Sequence, residues 1–314
     1  MDSSQHFFGI DVGGTKIELV CFDARLEARR HWRIETPTQR FDEFLAAVDK
    51  LVREADAFAG MPGAVGFGLP GIADGATGRH LSANVPALNG QRMAQALAAQ
   101  LDRPVVIGND CQCFAVSEAN GGAAHGARSM YGLIIGTGAA GGYCLDGKLI
   151  RGANGLLGEY GHTPASAAVL EKHGLPILNC ACGRAGCLER YVAGPGVSAI
   201  HQSYTGQATQ PSEIILLADA GDRSAQRTLG AHLDLLASAI GSIVLQLDPH
   251  VIVLGGGLSK LAHLYALLPA AVAEHALPGA QVPPIRPPAF GDAGGTRGAA
   301  ILAQQAWSDP RRAR

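Results

Sequence analysis

Three stretches of this chain hold glycines where a polyphosphate could be gripped: Gly13-Gly14, the run from Gly136 to Gly142, and Gly255-Gly256-Gly257. Each follows a short apolar run. A turn without side chains exposes backbone N–H groups and lets phosphate oxygens approach closely. Glycine also serves ordinary tight turns, and it is the threefold repetition that favours phosphate. Asp11 stands beside the first turn, with Thr15 and Lys16 just beyond it. A carboxylate next to phosphates suits magnesium, directly or through water. Its plainer role would be to cap its own turn.

A second constellation is Cys180-Ala-Cys182-Gly-Arg-Ala-Gly-Cys187, with His162 upstream. Three thiolates on a glycine-containing loop plus one imidazole complete a Cys3His tetrahedron, the donor set of a closed structural zinc site. Three buried free thiols are the alternative. Cys21, Cys111, Cys113 and Cys144 read as core residues, because free cysteine packs as a small hydrophobe. A third group is Asp110, Glu159 and Glu189, each beside a glycine turn or the cysteine loop. An ionised Asp110 could accept a hydroxyl proton during phosphoryl transfer. Glu159 could accept hydrogen bonds from sugar hydroxyls, and Glu189, two residues after Cys187, would be fixed by the cysteine loop.

Two familiar motifs fail on context. Gly136, Gly138 and Gly141 match G-x-G-x-x-G, but a strand follows where a dinucleotide site needs a helix. Gly142, Gly147 and Lys148 nearly match a P-loop, yet Leu149 replaces the Ser/Thr and again no helix follows.

The elements that must position these groups read as α/β. Residues 7–10 and 17–22 flank the first glycine turn as a hairpin. A helix is predicted over 38–58, with Thr38 as N-cap. Strands follow at 64–69, ending in Pro70-Gly71, and at 105–107, ending in Gly108-Asn109-Asp110, with a helix over about 113–120. Residues 131–135, the glycine run and a strand at 143–145 repeat the N-terminal plan, which we read as an internal duplication. A long helix covers 225–247, a buried strand 251–254, an extended proline-rich loop 283–288 and a last helix about 296–306.

At 314 residues, two domains are favoured: a smaller one over 1–122, completed by a C-terminal helix within 296–314, and a larger one over 123–295 holding the cysteine loop. Glycine at 42 residues is nearly twice its usual share, and charged residues at 17% are sparse. That excludes a disordered chain, a collagen and a coiled coil. A net charge of −2 leaves no footprint for nucleic acid, and Arg311, Arg312 and Arg314 read as a solvated end. Seven cysteines, an odd count, argue against a disulfide framework. The apolar stretch Leu235–Leu247 is short of a membrane span and the N-terminus lacks a secretory pattern, so a cytoplasmic location is expected.

Asp11-Val-Gly-Gly-Thr-Lys16, Asn109-Asp110, Gly136-Thr137-Gly138, Glu159-Tyr-Gly-His162 and the Cys180–Cys187 loop together resemble the ROK family of sugar kinases and repressors, from about residue 7 to about 303. The resemblance implies a two-domain, actin-like (ribonuclease-H-like) ATPase fold with ATP and sugar in an interdomain cleft. It implies Asp110 as catalytic base toward a sugar 6-hydroxyl. It places Gly71, Asn84, Asn109, Glu159, His162 and Glu189 at the sugar. Gly13, Gly14, Thr15 and Gly138 match the family's phosphate-loop positions; with the glycine turns read above, Lys16, Gly136, Thr137, Gly141, Gly142, Gly255 and Gly256 are also expected at ATP, with magnesium near Asp11. His162, Cys180, Cys182 and Cys187 match the family's zinc ligands, and His162 would serve zinc through one nitrogen and sugar through the other. A homodimer is also implied. Within the family, Ala83-Asn84-Val85-Pro86-Ala87 and Gly291–Ala300 are most similar to the N-acetylglucosamine-phosphorylating group. Kinases of glucose, fructose or N-acetylmannosamine are the alternatives. A sugar-sensing repressor would carry a winged helix-turn-helix, and the first strand begins near His6.

Overall fold

The computed structural model describes residues 5–82, 84–291 and 294–308. Ala83, Asp292-Ala293 and the arginine tail, all used in the sequence reading, lie outside them. The elements run β1 (Phe7–Val12), β2 (Lys16–Phe22), β3 (Ala28–Glu35), α1 (Phe41–Ala59), β4 (Ala64–Leu69), β5 (Ile72–Ala73), β6 (His80–Leu81), α2 (Met93–Leu101), β7 (Val105–Asn109), α3 (Asp110–Ala119), β8 (Ser129–Ile135), β9 (Ala139–Leu145), β10 (Lys148–Ile150), α4 (Ala167–His173), α5 (Glu189–Val192), α6 (Gly194–Thr205), α7 (Pro211–Asp219), α8 (Arg223–Leu247), β11 (Val251–Gly255), α9 (Ala262–His275), β12 (Ile285–Arg286) and α10 (Gly294–Ser308).

Two five-stranded sheets share one plan, β3-β2-β1-β4-β7 and β10-β9-β8-β11-β12. In the first, β1 pairs antiparallel with β2 and parallel with β4, and β4 runs parallel to β7. In the second, β9 and β10 are antiparallel, and β8, β11 and β12 parallel. The duplication read from the glycine turns reappears as this shared order.

The chain forms two compact units. Unit 1 holds residues 1–126, 142–157 and 290–314; unit 2 holds 127–141 and 158–289. Residues 142–157 thus pack with the N-terminal unit, where the sequence reading put them in the larger domain. In unit 1, Phe8, Ile10 and Leu19 of the sheet meet Phe44, Val48 and Leu51 of α1 in the core. Each such fully buried side chain stabilises by roughly 1.5–3 kcal/mol. Helix α10 lies backbone-close on the same sheet. A Cβ on Gly9 would stand 1.8 Å from the Thr296 carbonyl oxygen, and one on Gly66 1.9 Å from that of Ala299.

Several boundaries differ from the sequence reading. Helix α1 starts at Phe41, not near Thr38, because the Thr38 carbonyl is used by the Ala87 N–H at 2.9 Å. Helix α3 starts at Asp110, three residues early, because Asn109 and Gln112 form a capping box. Strand β9 begins at Ala139, so Gly141 and Gly142 are strand residues rather than turn residues. Their missing side chains have a packing reason. A Cβ on Gly141 would stand 2.4 Å from the Gly132 oxygen, and one on Gly142 2.8 Å from Ala115 Cβ.

In unit 2, Asp222 caps α8 by accepting the Ala225 N–H at 2.8 Å, and Asp248 ends it at φ 41°. Among the described residues α8 is long and apolar enough to cross a membrane, more than the sequence reading allowed, and 67% of its apolar window is buried in the fold.

Candidate active site

In unit 1 the candidate groups gather at the carboxyl ends of β1, β4 and β7, where parallel sheets place ligands. Asp11 ends β1. A Cβ on Gly68 would stand 3.2 Å from its Oδ1, and one on Gly295 2.8 Å from its Oδ2. Burial, then the neighbouring Asp110 and Glu18 carboxylates, push Asp11 up to about 6. A cation beside Asp11 would relieve that repulsion. The turn after β1 is closed by the Gly13 N–H donating to the Lys16 carbonyl at 2.8 Å. Gly13 therefore spends its own N–H on the hairpin, and any phosphate contact must come from other turn amides. Lys16 pairs with Glu18 at 3.3 Å, and Thr15 accepts the Thr36 N–H through its carbonyl. A Cβ on Gly14 would stand 3.2 Å from the Asn84 carbonyl oxygen, so the predicted sugar segment packs on the predicted phosphate turn.

Asp110 opens α3 directly after β7. Its Oδ1 accepts the Cys111 N–H at 3.0 Å. Surrounding protein pushes the carboxyl up, opposed by that hydrogen bond, while the side chain stays exposed. This is a carboxylate fixed at a helix start and open to a substrate. Beside it, a cavity of about 190 Å³ is lined by Gly71 and Asn109 from the sequence reading and by His80, Gln112, Arg151 and Asn154, which that reading missed. His80 is buried, and burial pushes its pKa down. Its Nε2 lies 2.9 Å from the Pro70 carbonyl, to which the neutral ring donates. That bond holds the Pro70-Gly71 turn. Gly71 has φ 99°, and a Cβ there would stand 2.0 Å from the Leu81 oxygen, so only glycine fits. Ser82 and Asn89 shape the segment around Asn84: Asn89 Oδ1 accepts the Ser82 N–H at 2.6 Å.

In unit 2, Gly136-Thr137-Gly138 joins β8 to β9. The Gly136 carbonyl accepts the Gly194 N–H at 2.8 Å, and the Gly136 N–H donates to the Gly138 carbonyl at 2.9 Å. Gly256, at φ 81°, crowds the same loop: a Cβ there would stand 2.6 Å from the Ile135 oxygen. Gly255 ends β11 opposite Ile134. Glu189 reaches this loop from the start of α5. Its Oε2 accepts the Ala139 N–H at 3.0 Å, and a Cβ on Gly138 would stand 2.9 Å from that oxygen. Glu189 thus meets the 136–139 loop, against whose start Gly256 of the third glycine turn packs. Glu159 precedes the Tyr160–His162 turn, which lies on Ala139: a Cβ on Gly161 would meet the Ala139 oxygen at 1.9 Å.

His162, Cys180, Cys182 and Cys187 offer four donor atoms, all within 4.8 Å of one another. His162 Nδ1 lies 3.8 Å from Cys180 Sγ, and the Cys182 and Cys187 sulfurs are 3.6 Å apart. A tetrahedron with arms of roughly 2.3 Å has edges of roughly 3.7 Å, so this donor set fits zinc. Hydrogen bonds from the Arg184 backbone and guanidinium pull the exposed Cys182 thiol down to about 6. Burial and the adjacent thiols push Cys187 up to about 12. Arg184 also donates to the His162 carbonyl at 2.9 Å, a brace that the cysteine spacing did not reveal.

A model of the ROK family matches residues 7–306. The chain is 44% identical over 296 residues to the N-acetylgalactosamine kinase AgaK of Shewanella sp. (strain ANA-3), covering 94% of this chain and 96% of that protein. It is 42% identical over 298 residues to an N-acetyl-D-glucosamine kinase of Escherichia coli O139:H28, covering 94% and 98%. The ROK hexokinase of Thermus thermophilus superposes with a TM-score of 0.87 at 30% identity, over 97% of this chain and all of that one. The two mixed sheets thus have the actin-like architecture that the motifs implied, and the chain is a ROK family sugar kinase.

Proposed function

We propose that this protein transfers the γ-phosphoryl group of ATP to the 6-hydroxyl of an N-acetylhexosamine, with N-acetyl-D-glucosamine the preferred acceptor. One observation carries the reading: an exposed carboxylate, Asp110, fixed at a helix start beside a cavity lined by Gly71 and Asn109, in a chain about 40% identical to amino-sugar kinases. Asp110 takes the proton of the attacking hydroxyl as the new P–O bond forms and ADP leaves. Gly71, Asn84, Asn109, Glu159, His162 and Glu189 are the residues we assign to sugar hydroxyls. Gly14, Thr15, Lys16 and the 136–138 and 255–256 turns are the residues we assign to ATP. Gly13, Gly141 and Gly142 shape those turns and strands by packing.

Asp11 would hold magnesium beside the phosphates, where the ion neutralises charge developing on the transferred group. Zinc on His162, Cys180, Cys182 and Cys187 would be structural, since all four positions come from protein. Its role is to fix the loop leading to Glu189, two residues after Cys187.

N-acetyl-D-galactosamine as the preferred acceptor is the second reading, favoured by the 44% identity to AgaK. The two sugars differ only in the orientation of the 4-hydroxyl, a change worth at least about 1–3 kcal/mol when a buried partner is left unpaired. Coupled ADP release with both sugars, N-acetylmannosamine, glucose and fructose tests the proposal. Preference for a hexose without the acetamido group would refute it.

A further inference from the structure

Gln112 is a polar side chain only 4% exposed, on a helix whose neighbouring positions are apolar. Its amide is used at both ends. Oε1 accepts the Asn109 N–H at 3.2 Å, and Nε2 donates to the Gly155 carbonyl at 3.3 Å. Its backbone N–H donates to Asn109 Oδ1 at 2.7 Å. Two of these bonds form the capping box that starts α3 at Asp110. The third reaches 43 residues along the chain, to the 151–155 segment. That segment supplies Arg151, Asn154 and Gly155 to the cavity, and Gln112 itself lines it. On another side, a Cβ on Gly142 would stand 3.1 Å from Gln112 Cα, so β9 leaves the helix start little slack.

A capping box needs only an acceptor at this position, and glutamate supplies one as well as glutamine. A donor at the same side chain is what the amide adds, and Gly155 is where it is used. We infer that Gln112 is a positioning residue for phosphoryl transfer: it sets Asp110 through the cap and ties that placement to the 151–155 wall of the cavity. The inference rests on the reading of Asp110 as base. A sugar that presses on the 151–155 wall acts on the same amide that orients the base, so acceptor binding and base placement are linked through one side chain.

Two variants separate the links. Gln112→Glu keeps the cap acceptor and loses the donor to Gly155. Gln112→Met loses both at similar volume. Each is compared with wild type, zinc retained, by thermal midpoint and by kcat, sugar KM and ATP KM on the pH-independent plateau, where Asp110 is fully ionised in every form. For Gln112→Glu we expect kcat down about tenfold and sugar KM up severalfold, with ATP KM unchanged. For Gln112→Met we expect kcat down about 100-fold, the scale of a misplacement near 1 Å. Both variants within twofold of wild type in kcat and sugar KM, whatever their thermal midpoints, would overturn the inference. Loss confined to Gln112→Met would overturn the tie to Gly155. Wild-type protein that phosphorylates no amino sugar would bring down the underlying reading as well, and that result needs no variant.

Discussion

Asp11→Asn should make the magnesium-free protein more stable while weakening catalysis. The Asp11 carboxyl is raised from 3.8 to about 6, chiefly by burial and then by Asp110 and Glu18. Between those values the folded state holds more protons than the unfolded state. Stability therefore falls as pH rises through that window, and the penalty is complete above about pH 7. At about 1.36 kcal/mol for each pH unit between the two values, the charged carboxylate costs at most about 3 kcal/mol. Partial solvent access reduces the expected penalty to about 1–2 kcal/mol. Asparagine keeps the shape and removes the charge. Urea unfolding of wild type and Asp11→Asn without magnesium, at pH 4.5 and pH 8, reads the difference directly. The variant should be more stable by about 1–2 kcal/mol at pH 8, with the gap falling to about a third of that at pH 4.5. With magnesium and ATP the variant should lose at least about tenfold in kcat/KM. A variant less stable than wild type at pH 8, or a gap independent of pH, would refute the reasoning.

Asp110→Asn should retain sugar binding, measured calorimetrically, and lose about 10²–10⁴-fold in kcat; full activity would remove Asp110 from the reaction. Cys182→Ser should lower bound zinc below one per chain and destabilise unit 2, because metal affinity is coupled to folding. Metal analysis of protein purified without chelators reads the first and thermal unfolding the second. Asp234 accepts Lys172 and His173 on one oxygen and His275 on the other, each at 2.7 Å. Although burial opposes it, these three partners hold its carboxyl well below the usual range, so its stabilisation is present above about pH 4 and lost as pH falls. Asp234→Asn should cost about 2 kcal/mol near neutral pH, and a cost that does not shrink in acid would argue against the charge.

Most of the first sheet was legible because its strands are apolar runs broken by glycine turns. The Cys3His cluster was legible because ligand spacing is local: Cys180, Cys182 and Cys187 lie within eight residues. Strand β3, Ala28–Glu35, was missed because it is an edge strand with most side chains in solvent, leaving no hydrophobic pattern to find. Gly141 and Gly142 looked like turn residues because composition cannot separate a turn glycine from one that lets two backbones meet. His80, Gln112 and Arg151 were missed for another reason. Their roles depend on partners in distant segments, such as Gln112 with Gly155, and nothing in local spacing records that. One clue was available for Gln112: its place three residues after Asn109, the signature of a capping box.

The most direct test of the central claim is steady-state phosphorylation by the zinc-replete enzyme with magnesium and ATP, across N-acetylglucosamine, N-acetylgalactosamine and glucose, with NMR identification of the product. The account predicts a sugar 6-phosphate and a kcat/KM for an N-acetylhexosamine at least tenfold above that for glucose, about 1.4 kcal/mol of transition-state preference. Equal or better use of glucose, or a phosphate on another hydroxyl, would contradict it.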